Sequence, residues 1–255
     1  MLVARTPVVL MYHSVIPYDR DPYLVTVRPT RLERQFLWLR DRGLRGVAVS
    51  ELLSARDAGR ARGLVGLTFD DGYADFAEYV VPALRRYGFT ATVYVIAGQL
   101  GGSNHWDPDG PRKHLMTADQ VAQVAADGVE IGSHGLNHVS LPGLPADALV
   151  AETLRSRRLL REISGQPVTG FCYPYGDVSP QAVSAVRAAG YDHGCAIWRS
   201  ELTGRLALPR TYVGDVDTGI RLRAKRLRHH LAFGRRRMVS GNATHQDAPT
   251  GGRPQ

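Results

Sequence analysis

Leu64-Val65-Gly66-Leu67-Thr68-Phe69-Asp70-Asp71-Gly72 runs from six strand-like residues straight into two carboxylates and a glycine. A short apolar run bounded by Gly63 and Gly72 reads as a buried strand. Its flanks decide the fold. Upstream, Ser50 is positioned to cap a short helix from Glu51. Downstream, residues 74–87 read as a helix despite Pro82, with Gly88 as its stop. Residues 89–97, rich in Thr, Val and Tyr, read as the next buried strand. Strand, helix, strand in that order predicts parallel pairing through a crossover.

The alternation continues in both directions. Residues 8–11 form the first predicted strand. Thr30 is the expected cap of a helix with Leu32, Phe36 and Leu39 on its apolar face, ending near Gly43. Thr117 and Gln120 spell a capping box for a helix that stops at Gly128. Residues 129–133 are a strand, 146–163 a long helix and 168–173 a strand. Ser179-Pro180 opens a helix that stops at Gly190, and 191–197 and 206–208 are further strands. The expected class is α/β, with a parallel sheet either open or closed. In both forms function collects in the loops after the strand C-termini.

Composition narrows the classes. The chain has 255 residues, 44% hydrophobic and 22% charged, which excludes a disordered chain. Two cysteines exclude a disulfide scaffold, and no apolar run has the length of a membrane span. The +8 net charge invites a nucleic-acid reading. Residues 220–255, however, hold nine Lys/Arg and one Asp, so residues 1–219 are formally neutral and no nucleic-acid partner is expected. The predicted organisation is a catalytic domain, 1–219, and a basic C-terminal helix and disordered tail, 220–255. In residues 220–237, Ile220, Leu227 and Leu231 make a thin apolar stripe. It suits a helix packed on the domain, a solvated basic helix, or peripheral contact with an anionic membrane. As written, the chain starts in its first strand without a leader pattern, so the expected location is cytoplasmic.

Three strand ends carry chemistry. Asp70 and Asp71 diverge at theirs, so one can bind a cation while the other takes a proton; a plainer reading makes them helix-capping acids. His134 and His138 stand four apart, metal-ligand spacing in a helical turn, though two surface histidines can also fall so. With Asp71 they make a His-His-Asp set that suits zinc or another divalent ion in hydrolysis. Tyr173-Pro174-Tyr175-Gly176 is a rigid turn whose N–H groups can face an oxyanion, or an ordinary aromatic turn. Trp106, in a long loop, offers a face for a sugar ring. Cys172 and Cys195 read as a buried pair of inert thiols.

Taken in order, Thr68-Phe-Asp-Asp-Gly72, His134-Gly-Leu-Asn-His138 and Tyr173-Pro-Tyr-Gly176 resemble the first three motifs of the NodB-like polysaccharide deacetylases, carbohydrate esterase family four. Pro7-Val-Val-Leu-Met-Tyr-His-Ser14 resembles the opening of the branch that deacetylates poly-N-acetylglucosamine. The resemblance spans residues 7–215 and implies a distorted (β/α) barrel of about seven parallel strands. It implies a hydrolase that removes N-acetyl, or O-acetyl, groups from a carbohydrate. Asp70 would be the base that activates a metal-bound water. Asp71, His134 and His138 would hold the metal, zinc first and cobalt or nickel as options. The Tyr175 N–H would polarise the acetyl carbonyl, His13 would be the acid, and Trp106, Tyr173 and Pro174 would meet the substrate. Cys172 stands where much of the family has an arginine paired to the base, and Arg210 is the expected replacement. Motifs four and five are not clear in this chain. The rivals are a same-fold hydrolase of a small amide or glycosylated metabolite, and a non-catalytic sugar binder.

Overall fold

In the computed structural model, which describes residues 6–233, ten strands and eight α-helices alternate along the chain. β1 (Val9–Tyr12) leads through β2 (Ser14–Val15) and β3 (Thr26–Val27) to α1 (Pro29–Arg40). Then come β4 (Arg45–Val47), α2 (Val49–Asp57), β5 (Leu64–Phe69), α3 (Val81–Tyr87), β6 (Thr92–Val95), α4 (Ala118–Ala126) and β7 (Glu130–Ser133). The second half holds α5 (Ala146–Val150), α6 (Ser156–Ser164), β8 (Gly170–Cys172), α7 (Pro180–Ala188), β9 (His193–Cys195), β10 (Thr211–Tyr212) and α8 (Gly219–Phe233).

The main sheet runs β10-β1-β5-β6-β7-β8-β9, with β4 paired to the first half of β5, and every pairing is parallel. Seven strands along one path, with β4 beside them, curl as the distorted α/β barrel expected from the motifs. Residues 206–208 do not form a strand of their own. Leu208 instead bridges Cys195, and Thr211 pairs with Leu10, so the stretch 208–212 crosses the seam between β9 and β1. Parallel neighbours bring all the strand C-termini to one end, where His13, Asp70, His134 and Tyr173 follow β1, β5, β7 and β8.

Local chemistry explains the departures from the expected elements. Pro29, already fixed in φ, starts α1, so Arg28 is the N-cap and Thr30 lies inside the helix. Ala48 precedes α2 and Ser50 does not cap it. The Ala48, Val49 and Ser50 N–H groups donate to Thr90 Oγ1, Thr92 Oγ1 and Glu130 from neighbouring strands. Wider π-turns at Phe76–Val80 and Ala151–Arg155 interrupt the two long helices; the first sits just before Pro82, which has no N–H to give. The Thr117–Gln120 capping box and the Ser179 cap form as written in the sequence.

The apolar faces meet in one large core. Leu32, Phe36 and Leu39 of α1 are buried, and the Phe36 ring lies 5.4 Å from Phe89 and 5.9 Å from Tyr87. Truncating a fully buried phenylalanine leaves a cavity, so Phe36→Ala should cost about 3–5 kcal/mol. Urea denaturation checks this, and a loss below 1 kcal/mol would mean α1 is not a core element.

The basic helix α8 is docked on the domain rather than free. Leu222 and His229 are buried, and Lys225 Nζ lies 2.5 Å from Asp217 and 2.8 Å from the Tyr212 carbonyl. The predicted stripe faces outward, since Ile220, Leu227 and Leu231 are all exposed. The tail from residue 234 lies outside the described residues, as do residues 1–5. Among the described residues no helix is long and apolar enough to cross a membrane.

Candidate active site

Asp70 and Asp71 leave β5 in different directions and acquire different partners. Asp71 takes φ +71° and Gly72 φ +70°, so the chain turns sharply at the strand end. A left-handed aspartate costs of order 1 kcal/mol or more and is kept where surroundings hold it. Asp71 Oδ1 then lies 3.3 Å from His134 Nε2 and 3.4 Å from His138 Nε2. All three side chains are buried, and their ligating atoms fall within 4.8 Å of one another.

The two histidines do not share a helical turn. His134 follows β7, Gly135 has φ +82° and His138 φ +59°, so the segment is a tight loop. Glu152 anchors it. Its carboxylate accepts from the Leu136 and Asn137 N–H groups and from Asn137 Nδ2, at 2.7, 3.1 and 2.7 Å. Glu152 lies in a π-turn far along the chain, and nothing in its local sequence marked it.

This donor set fits a divalent cation. His134 Nδ1 is 2.9 Å from the Cys172 carbonyl, which only accepts, so Nδ1 carries the proton. In the neutral ring, Nε2 then points a lone pair at the Asp71 carboxylate. Lone pair facing carboxylate is repulsive unless a proton or metal ion lies between. Burial acts to lower His134, but Cys172 and Asp71 raise it well above the usual histidine range. Burial holds His138 down to about 4, so its ring is neutral at pH 7 and available as a ligand. Burial works against ionised Asp71, yet the two histidines hold its carboxyl below the ordinary range.

Asp70 is held apart by Arg210. Its oxygens lie 2.6 and 2.7 Å from Arg210 Nη1 and Nη2, a two-pronged pair with both side chains buried. Burial pushes the carboxyl up, and the guanidinium more than offsets this, leaving Asp70 charged. Arg210 Nη2 also sits 3.0 Å from Cys172 Sγ. The arginine reaches Asp70 from the seam segment. Cys172 and Cys195 are free, buried thiols, and burial pushes Cys195 up to about 12.

Other expected residues divide. His13 Nε2 lies 3.9 Å from Asp70 Oδ2, and its Nδ1 is buried without a hydrogen-bond partner. The Trp106 ring lies 4.4 Å from the His138 ring, and the Tyr175 ring lies 4.7 Å from it. Tyr175 has φ +58° and is half exposed, so it stands at the mouth. Tyr173 and Pro174 are buried, and the Tyr173 hydroxyl donates to the Leu206 carbonyl. Asp107 was not singled out, yet burial and then the Asp71 charge push its carboxyl up.

A family model described as polysaccharide deacetylase matches residues 57–194. YxkH of Bacillus subtilis (strain 168), named as a polysaccharide deacetylase, is 30% identical over 193 residues, covering 75% of this chain and 64% of that protein. Poly-beta-1,6-N-acetyl-D-glucosamine N-deacetylase of Escherichia coli (strain K12) is 25% identical over 220 residues, covering 72% of this chain and 33% of that one. The chain thus spans less than two thirds of either relative. The deacetylase PplD of Streptococcus pyogenes, solved with acetate, superposes with a TM-score of 0.72 at 24% identity, covering 86% of this chain and 97% of its own.

Proposed function

Since the chain belongs to the polysaccharide deacetylase family, we propose that it is a metal-dependent hydrolase that removes N-acetyl groups from an acetylated amino-sugar carbohydrate. The supporting observation is the division between adjacent carboxylates. Asp71 is shared by two histidines, while Asp70 is paired to Arg210 and kept ionised beside them. The named substrate of the Escherichia coli relative, a β-1,6-linked N-acetylglucosamine polymer, is the substrate class to try first.

Asp71, His134 and His138 would hold the ion, with zinc, cobalt or nickel as candidates. Such an ion supplies Lewis acidity toward the acetyl carbonyl and lowers the pKa of water. The chain's own residues do the remaining work. Asp70 accepts a proton from the attacking water, with Arg210 fixing both carboxylate oxygens in place. His13, beside Asp70, delivers a proton to the departing amine nitrogen. The Tyr175 N–H, at the strained turn, helps polarise the carbonyl, and Trp106 and the Tyr175 ring frame the entrance for a sugar. The catalytic unit is residues 1–219, with α8 docked on its flank.

Chelated protein should release no acetate from acetylated glucosamine oligomers, and zinc, cobalt or nickel should restore release. The same ions should raise the melting temperature. Equal activity with and without chelator would sink the metal reading, and restored metal binding without turnover on any acetylated carbohydrate would favour a sugar-binding relative.

A further inference from the structure

His13 has little of its own to hold it in place. Its Nδ1 is buried and makes no hydrogen bond among the described residues, and its Nε2 lies 3.9 Å from Asp70 Oδ2. A histidine that moves a proton is ordinarily oriented through its other ring nitrogen. Here the orientation comes from the backbone on either side. The turn after β5 grips both flanks. The Asp70 N–H donates to the Tyr12 carbonyl at 2.9 Å on one side. On the other, Asp75 accepts from the Ser14 hydroxyl at 2.5 Å and from the Val15 N–H at 3.0 Å.

Asp75 stands immediately before the π-turn Phe76–Val80, where an acid usually caps the first N–H groups, yet its side chain caps none of them. It is buried, a costly place for a carboxylate. Burial pushes its carboxyl up, and the two hydrogen bonds and the charge of Lys113 work against that rise. Lys113 is buried as well, and its Nζ donates to Thr26 Oγ1 at 2.5 Å. Thr26 of β3 is the register partner of Ser14 in β2. Asp21 accepts from the Thr26 N–H and hydroxyl at 2.7 and 2.6 Å. A pair of two-residue strands is too short to hold itself, and here buried charges fix both of them.

We propose that Asp75 is the positioning residue for the proton donor: its clamp on Ser14 and Val15 holds the His13 ring within reach of the departing amine nitrogen. The inference rests on the reading of His13 as the acid. Asp70, Asp71 and Asp75 lie within six consecutive residues, so one turn carries the base, a proposed metal ligand and the clamp. A donor displaced by about 1 Å can cost on the order of 10²-fold in rate.

Leaving groups separate this role from a merely structural one. When the amide C–N bond breaks, its electron pair moves to nitrogen, which needs the proton. The ester para-nitrophenyl acetate releases a phenolate that needs none. In the zinc-loaded full chain, Asp75→Ala should lower the ratio of amide to ester turnover by about 10–100-fold. Its KM for acetylated glucosamine oligomers should stay within about threefold of wild type. Ser14→Ala keeps the Val15 bond and should fall between, and it carries the test if Asp75→Ala does not fold. Asp75→Asn can still accept from Val15 and bond Ser14 through its amide nitrogen, so it should restore the ratio to within about threefold. In ¹⁵N NMR of the metal-free chains, the His13 ring signals should shift in Asp75→Ala and keep their wild-type positions in Asp75→Asn. Amide and ester turnover falling together overturns the proposal. So does a wild-type ratio in Asp75→Ala, or in Ser14→Ala where that variant stands in. His13→Gln should lower the ratio at least as far as Asp75→Ala. If it leaves the ratio at wild type, the acid reading fails instead, and the NMR signals still decide whether Asp75 holds the ring.

Discussion

Asp70→Asn should lower the turnover number for acetate release by about 10²–10⁴-fold, the usual worth of a positioned general base. The amide keeps the shape and still accepts a hydrogen bond from Arg210, but it has lost the basic oxygen. The proposed metal ligands Asp71, His134 and His138 keep all their own donor atoms. Zinc affinity, read by competition with a chromogenic chelator, should therefore stay close to wild type while turnover collapses. Asp71→Asn should show the opposite order, losing zinc affinity first. If Asp70→Asn and wild type release acetate equally, Asp70 is not the base. If Asp70→Asn loses zinc as severely as Asp71→Asn, the two carboxylates do not divide the work.

Arg210→Met should destabilise the fold by about 3–5 kcal/mol, because it strands the Asp70 carboxylate in a buried site. For a chain of this size that is a fall in melting temperature of roughly 6–20 °C. Arg210→Lys keeps a charge but not the fork that meets both Asp70 oxygens, so it should fall between. Pairing Arg210→Met with Asp70→Asn removes both charges, and the double variant should lose less than the two single losses added together. Strict additivity would show that the pair is not energetically coupled. Urea denaturation of the four chains measures the cycle.

Much of this was readable before the structure, and the reasons lie in particular residues. Leu64 to Phe69 is one unbroken apolar run, and the Thr117–Gln120 box contains its own hydrogen-bond partners, so both are local signals. Ser50 and Thr30 misled because their helix starts were decided by other residues, Thr92 and Glu130 in the sheet and Pro29 in the chain. The two-residue strands β2, β3 and β10 are too short to show a period. Asp70, Asp71, His134 and His138 stood out by type and spacing, and the structure gathers them at the C-terminal ends of β5 and β7. Glu152 was invisible, since a glutamate in a helix looks solvated until the loop it anchors is folded over it.

The seam segment places a demand on the order of synthesis. Asp70 and Arg210 are separated by 140 positions. At typical ribosomal rates of about 5–20 residues per second, the aspartate emerges roughly 7–28 s before its counter-charge exists. By the later part of that interval a nascent chain has Asp70 and the loop after β7 with both histidines, yet nothing to neutralise the carboxylate it must bury. Burying it unpaired would cost several kcal/mol, so closure of the barrel waits for the last strand. A translation product that stops before residue 208 is thus left open as well as inactive, and competence arrives in one late step.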